Sequence, residues 1–159
     1  MNSVYFNDIK ESLTNVPKLE QMKNKTIFIN GANGLIGSSI VDFIAVANIE
    51  YGLNTVVYCG CRSKVKFDNR FSGVDEKANI HFVQYDALKP LSIEIKPDYI
   101  IHGAGNANPS KYMSEPVETM LGNIYGVHEV LEYARFLKSR VLYISSSEVY
   151  GNIYINKPF

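Results

Sequence analysis

The chain has 159 residues, enough for one sizeable hydrophobic core and, as a first expectation, one domain. Sixteen Lys and Arg balance sixteen Asp and Glu, which leaves no electrostatic footprint for nucleic acid or an anionic membrane surface. No apolar run reaches the roughly 18 residues that suggest a membrane span, and the polar, mixed-charge residues 1–10 are unlike a signal peptide.

Residues 3–16 read as a helix, with Tyr5, Phe6, Ile9, Leu13 and Val16 at helical spacing and Pro17 closing it. Residues 1–22 are therefore expected to form a helical extension ahead of a domain spanning 23–159. A short β-branched strand at 26–30 leads into a glycine-rich turn. The helix after Gly34 carries Ile36, Ile40, Phe43, Ile44 and Ala47 on one stripe, as a helix lying on a sheet should. Residues 54–60 and 79–85 read as the second and third strands. Residues 99–102 make a short apolar fourth strand that ends in Gly103-Ala104-Gly105. A long helix over 116–137 and a fifth strand over 140–145 complete the pattern. Strands alternating with helices imply a parallel sheet with right-handed crossovers, and ligands bind beyond the carboxyl ends of such strands. The polar or glycine-rich segments 30–37, 60–63, 86–87, 103–110 and 145–151 fall at those ends. Cys59 and Cys61 would share one strand face; they lack partner cysteines for a metal and have poor geometry for a disulfide. They read as reduced thiols of a cytoplasmic protein, and no metal site is expected.

The segment from Ile29 to Gly37 has the layout of a phosphate-binding turn. Glycine serves where the backbone turns tightly, approaches a ligand, or packs helix against strand. The next helix offers free N–H groups and a positive dipole end to a pyrophosphate. A glycine triplet alone is weak evidence for a dinucleotide, but the strand before it, the helix after it and the later strand ends agree with it.

The spacing of Gly31, Gly34 and Gly37 resembles the G-x-x-G-x-x-G of the extended short-chain dehydrogenases/reductases. Asp86 resembles the aspartate that contacts adenine there. His102-Gly103-Ala104-Gly105 is similar to the turn beside the cofactor, with His102 itself structural. Asn123 resembles the asparagine, expected to be buried, that holds the central strands near the active site. The run from Ala104 to Met113, with Pro116, Thr119, Asn123 and Gly126, is similar to UDP-glucuronate decarboxylases, as is Ser145-Ser146-Ser147-Glu148-Val149-Tyr150-Gly151. Together these resemble the NAD-dependent epimerase/dehydratase family of nucleotide-sugar enzymes over residues 23–155. The resemblance implies a three-layer, Rossmann-type, doubly wound α/β domain with about five parallel strands ordered 3-2-1-4-5. It implies NAD as cofactor, NADP not being excluded, and a nucleotide-sugar substrate oxidised transiently at C4. The implied cofactor-binding residues are Gly31, Asn33, Gly34, Leu35, Ile36, Gly37, Arg62, Ser63, Asp86, Ala87, Ala104, Gly105 and Asn123. Ser146, four positions before Tyr150, matches the hydroxyl residue that assists catalysis, and Glu148 matches a glutamate at the sugar ring. Tyr150 is expected to pack or to line the pocket. Ser147 stands where 4,6-dehydratases usually have an aspartate, which leans the pattern towards decarboxylation.

Two departures qualify the resemblance. NAD-specific members usually carry an acidic residue at the end of the second strand, whereas this chain reads Cys61-Arg62-Ser63, a pair suited to a 2′-phosphate or to stacking on adenine. The family's Y-x-x-x-K, due about two dozen residues beyond Ser146, does not occur before Phe159; Tyr85 and Lys89 share the spacing by chance, at the wrong place. Residues 1–159 alone are therefore expected to bind a cofactor without turnover, as the N-terminal portion of such an enzyme. The alternative is a non-catalytic dinucleotide-binding sensor, or a subunit completed by a partner chain. An open sheet edge beside the fifth strand is expected to favour self-association.

Overall fold

The computed structural model describes residues 3–105 and 109–151. Five strands, β1 (Thr26–Asn30), β2 (Val56–Cys61), β3 (Ile80–Gln84), β4 (Tyr99–His102) and β5 (Arg140–Tyr143), form one sheet in the order β3-β2-β1-β4-β5. All four pairings are parallel. The second, third and fifth strands are a residue or two shorter than the sequence pattern suggests, although Asn79, Tyr85 and Ile144 at their ends still bond to the neighbouring strand. The chain winds outward from β1 in one direction to β3, then returns to β4 on the other side of β1. The switch between those directions lies at the carboxyl ends of β1 and β4, where Asn30 and His102 are register partners.

The central strands are apolar and β-branched because helices cover both faces. On one face Ile27, Ile29, Val57 and Cys59 pack against Val41 and Ile44 of α2 (Leu35–Tyr51) and against Phe67 and Phe71 of α3 (Lys64–Phe71). On the other, Phe28, Tyr85 and Ile100 meet Val130 and Ala134 of α5 (Pro116–Leu137). A short α4 (Pro109–Ser114) precedes α5.

The N-terminal helix α1 (Ser3–Leu13) ends three residues earlier than its spacing suggests, in main-chain turns that run to Val16. Its Ile9 and Leu13 pack on Val46 and Ala47 of α2. That cover changes the helix predicted after Gly34. The helix is buried on two sides, Asp42 included, rather than along one stripe, and Ile36 at its start is exposed. Asp42 sits beneath the extension, where its Oδ2 accepts the Tyr5 hydroxyl (3.1 Å) and pairs with Arg70.

Beyond β5 the sheet has no further partner strand among the described residues, and Leu142 and Tyr143 are exposed there. No helix among the described residues is long and apolar enough to cross a membrane.

Candidate functional site

A cavity of about 400 Å³ lies over the carboxyl ends of β1, β2, β3 and β4. Its floor is built by the glycine turn after β1 and the 103–105 turn after β4. Gly31 has φ +74°, and a Cβ there would lie 2.6 Å from the Gly103 carbonyl oxygen. A Cβ on Gly37 would lie 2.2 Å from the Gly31 oxygen. The first glycine thus permits the turn to sit against the β4 end, and the third permits the helix to sit against the turn. The Gly31 oxygen also accepts the Gly34 N–H at 3.0 Å. Gly34 precedes α2 with no side-chain cap, so the first N–H groups of the helix remain available to an anion. These features fit a pyrophosphate between loop and helix.

The cavity wall brings together Gly31, Asn33, Gly34, Arg62, Asp86, Ala87, Ala104, Gly105 and Asn123 of the expected cofactor residues. Gly37 lies under the loop, while Leu35 and Ile36 begin α2 with exposed side chains; any part these two play at a pyrophosphate is through their main-chain N–H groups. Ser63 is not on the wall. Its hydroxyl accepts the Lys66 N–H at 3.3 Å and caps α3, a use its place after Arg62 concealed. Asp86 accepts the Leu88 N–H through Oδ1 at 3.1 Å, which leaves Oδ2 for a ligand. Asn123 is exposed rather than buried, because the wall of α5 at that point faces the open cavity; a Cβ on Gly105 would come within 3.4 Å of its Oδ1.

Ser146 follows β5 in an exposed segment away from the cavity wall. Glu148 belongs to the 3-10 turn Ser147–Tyr150, but its side chain lies outside the described residues. Tyr150 is exposed and does not line the cavity.

The sequence did not single out two participants. The Cys61 thiol is buried, which pushes its pKa up; the main-chain N–H groups of Asn33 and Ala32, which its sulfur accepts, act in the opposite direction. The glycine loop is thereby tied to β2. Tyr85 also lines the cavity, with its ring edge-on to Phe28 at 5.9 Å. Burial pushes its pKa up to about 12, and its buried hydroxyl has no hydrogen-bond partner among the described residues. An alternation pattern marks both as core and says nothing of what their polar atoms meet. Charged residues on the wall are Arg62, Lys111, Asp86, Glu115 and Glu118, of which Lys111 and Glu115 pair with each other. Among the described residues no group of three His, Cys, Asp or Glu side chains is placed to hold a metal.

Comparison with known proteins is consistent with this geometry. Residues 27–156 match the family model described as "NAD dependent epimerase/dehydratase family". UDP-glucuronic acid decarboxylase 3 of Arabidopsis thaliana is 34% identical over 136 residues, covering 81% of this chain and 36% of that protein. UDP-glucuronic acid decarboxylase 1 of Danio rerio is 31% identical over 134 residues, covering 84% and 30%. The chain thus spans only 30–36% of these two relatives. Among solved structures, a UDP-glucose-4-epimerase from Stenotrophomonas maltophila, with bound NAD and formylated UDP-arabinopyranose, superposes with a TM-score of 0.63. It shares 19% identity, over 81% of this chain and 39% of that one, a likeness of fold.

Proposed function

Because the chain belongs to the NAD-dependent epimerase/dehydratase family, we propose that it forms the cofactor-binding part of a nucleotide-sugar enzyme. The observation that carries this reading is the cavity at the sheet's switch point, walled by the glycine loop, Asp86 and the 103–105 turn. Bound NAD(P) would supply hydride acceptance from the sugar C4. The chain's own residues do the rest. Gly31, Gly34 and the start of α2 receive the pyrophosphate, Asp86 meets the adenine, and Ala104 and Gly105 border the nicotinamide half. Ser146 holds its hydroxyl to the sugar 4-oxygen, and Glu148 moves a proton at the ring or steers the keto sugar. The relatives named as UDP-glucuronic acid decarboxylases favour a UDP-sugar acid and decarboxylation.

Residues 1–159 contain no Y-x-x-x-K beyond Ser146, so this stretch alone binds without turnover; conversion of a UDP- or dTDP-sugar by it would overturn that part. Titration of the purified chain with NADH and NADPH, followed by fluorescence, tests the cofactor reading. A saturable signal is expected, and its absence for both nucleotides would sink the proposal. Arg62 sets the preference between the two. Arg62 is on the cavity wall where β2 ends, so Arg62→Ala should weaken NADPH more than NADH. The exposed apolar side chains of α5 and β5, Met120, Ile124, Leu131 and Leu142 among them, favour self-association. A monomer across a wide concentration range in sedimentation would argue against it. Two free, buried cysteines suit a reducing cytoplasm.

A further inference from the structure

Asn30 ends β1 with its side chain fully buried. Its Oδ1 accepts the main-chain N–H groups of Gly103 at 3.0 Å and Ala104 at 3.1 Å. Those two donors settle which end of the amide is oxygen. Nδ2 therefore donates, and its acceptor is Nδ1 of His102 at 2.8 Å. A ring nitrogen that accepts carries no proton, so His102 is neutral with its hydrogen on Nε2.

The surroundings of His102 favour that state. From β1 it faces the uncharged Asn30. From β5 it faces the Tyr143 ring, stacked at 5.5 Å and 25°. On α5, which covers this face, Glu129 accepts the Leu91 N–H at 3.0 Å and the Tyr133 hydroxyl donates to main-chain oxygen between β3 and β4. Burial is the cause that acts on the ring, and it lowers its pKa below the ordinary 6.5.

We propose that Asn30 is a positioning residue for the cofactor: it holds the 103–104 turn against the glycine loop, and does so only while His102 is neutral. A proton on Nδ1 sets N–H against N–H. Turning the amide over to avoid this would set its NH₂ against the N–H groups of Gly103 and Ala104. Either arrangement leaves the buried Asn30 amide without an acceptor, and the second also strips the Ala104 N–H of its acceptor, while the Gly103 N–H keeps its 3.1 Å bond to the Asn30 main-chain oxygen. The 103–104 turn then loses its side-chain tie to β1, and with it the close seating of Gly31 against Gly103 that forms the cavity floor. The proposal rests on the dinucleotide reading of the cavity.

The sign follows from linkage. With the folded-state pKa of His102 depressed, the competent arrangement is complete above about 6.5 and is lost as pH falls through the folded value. One pH unit below that value about a tenth of the molecules remain competent, so the Kd for NADH rises about tenfold. The test uses the chain 1–159 with ¹⁵N-labelled histidine, the His102 signals being assigned by their loss in His102→Gln. NADH titrations run from about pH 5 to about pH 8, the range in which histidine titrates, with circular dichroism confirming the fold at each point. The expected result is an unprotonated Nδ1 at neutral pH and an acid limb in Kd that tracks the His102 titration. Asn30→Asp still accepts both turn amides but also accepts from a protonated ring. It should raise the His102 pKa and keep NADH bound on the acid side. A proton on Nδ1 at neutral pH, a Kd that ignores the His102 titration, or an acid limb unchanged in Asn30→Asp would each overturn the positioning role. Absence of NADH binding at every pH would instead overturn the cofactor reading and the role with it.

Discussion

Replacing Gly37 by alanine sets two physical effects against each other. Gly37 is buried in the first turn of α2, and alanine in a helix interior is favoured over glycine by about 0.8–1.0 kcal/mol. Propensity alone thus forecasts a more stable protein. The added Cβ, however, would lie 2.2 Å from the Gly31 carbonyl oxygen and 2.9 Å from its carbon, where ordinary contact begins near 3.4 Å. Relief needs a main-chain shift of about 1 Å, since a peptide group cannot rotate aside as a flexible side chain does. Moving that oxygen loosens its bond to the Gly34 N–H and presses Gly31 further onto Gly103. Overpacking of this kind costs about 1–3 kcal/mol; at the upper end, after the helix gain, a net loss of about 1–2 kcal/mol remains. For a domain of this size the melting temperature should fall by about 2–8 °C, and NADH affinity should fall with it because the displaced atoms form the cavity floor. Gly122→Ala in α5 is the control. Its Cβ would meet the Leu88 Cδ2 at 3.6 Å, an ordinary contact, so it should gain up to about 1 kcal/mol from helix propensity. Chemical denaturation and NADH titration of both variants decide the matter. A Gly37→Ala protein as stabilised as Gly122→Ala would refute the packing argument.

Other consequences are open to direct measurement. Asp42→Ala should cost about 3 kcal/mol, the lower end for a broken buried ion pair because Arg70 can still reach water, whereas Tyr5→Phe should cost about 1 kcal/mol; equal losses in urea denaturation would show that the ion pair is not what matters. The Asp98 carboxyl is held below its ordinary 3.8, chiefly by the Thr26 N–H and further by Lys25, against a smaller opposing effect of burial. Its contribution to stability is present above 3.8 and is lost as pH falls through the folded value, so Asp98→Asn should flatten the acid side of the stability–pH curve; an unchanged acid slope would contradict this. Cys59 and Cys61 are buried with pKa values pushed up, so iodoacetamide near neutral pH should label neither in the native protein and both in denaturant, as read by mass spectrometry.

The sheet was legible because its strands are short apolar runs closed by glycine or polar residues, and because a parallel crossover has one favoured hand. Alternation gave the parallel sheet and its hand, while the order β3-β2-β1-β4-β5 was what the family resemblance implied. The helix α3 was not legible, since among Lys64, Lys66, Asp68 and Arg70 only Phe67 and Phe71 lie at helical spacing, Val65 being exposed, and its cap Ser63 looked like a ligand contact. The two-sided burial of α2 was hidden for another reason. Periodicity reports how many apolar residues a helix has, not that α1 folds back over its outer face. Among the candidate site residues, the glycine turn was marked by its spacing and Asp86 by the family resemblance, and both line the cavity. Asn30, Cys61 and Tyr85 were not marked, because what distinguishes them from core residues is the surroundings of a single polar atom: Asn30 and Cys61 find partners on another strand or loop, and the Tyr85 hydroxyl is buried at the cavity without one among the described residues.

The same distinction separates the two halves of the proposed site. The pyrophosphate end of the proposed nucleotide half rests on strands with a neighbour on each side: β1 lies between β2 and β4, and Asn30 joins β1 to the turn after β4, while Asp86 follows the edge strand β3. Its geometry is fixed by interlocking main-chain contacts that leave Gly31 and Gly37 no room for a side chain. The sugar-facing segment, 145–151, follows β5, which pairs with β4 alone among the described strands and exposes Leu142 and Tyr143. Ser146 is exposed in that segment and is not on the cavity wall. On the proposed reading the pyrophosphate seat is therefore built by the inner strands and their turns, whereas Ser146 and Glu148 follow a strand with no described partner on its outer side.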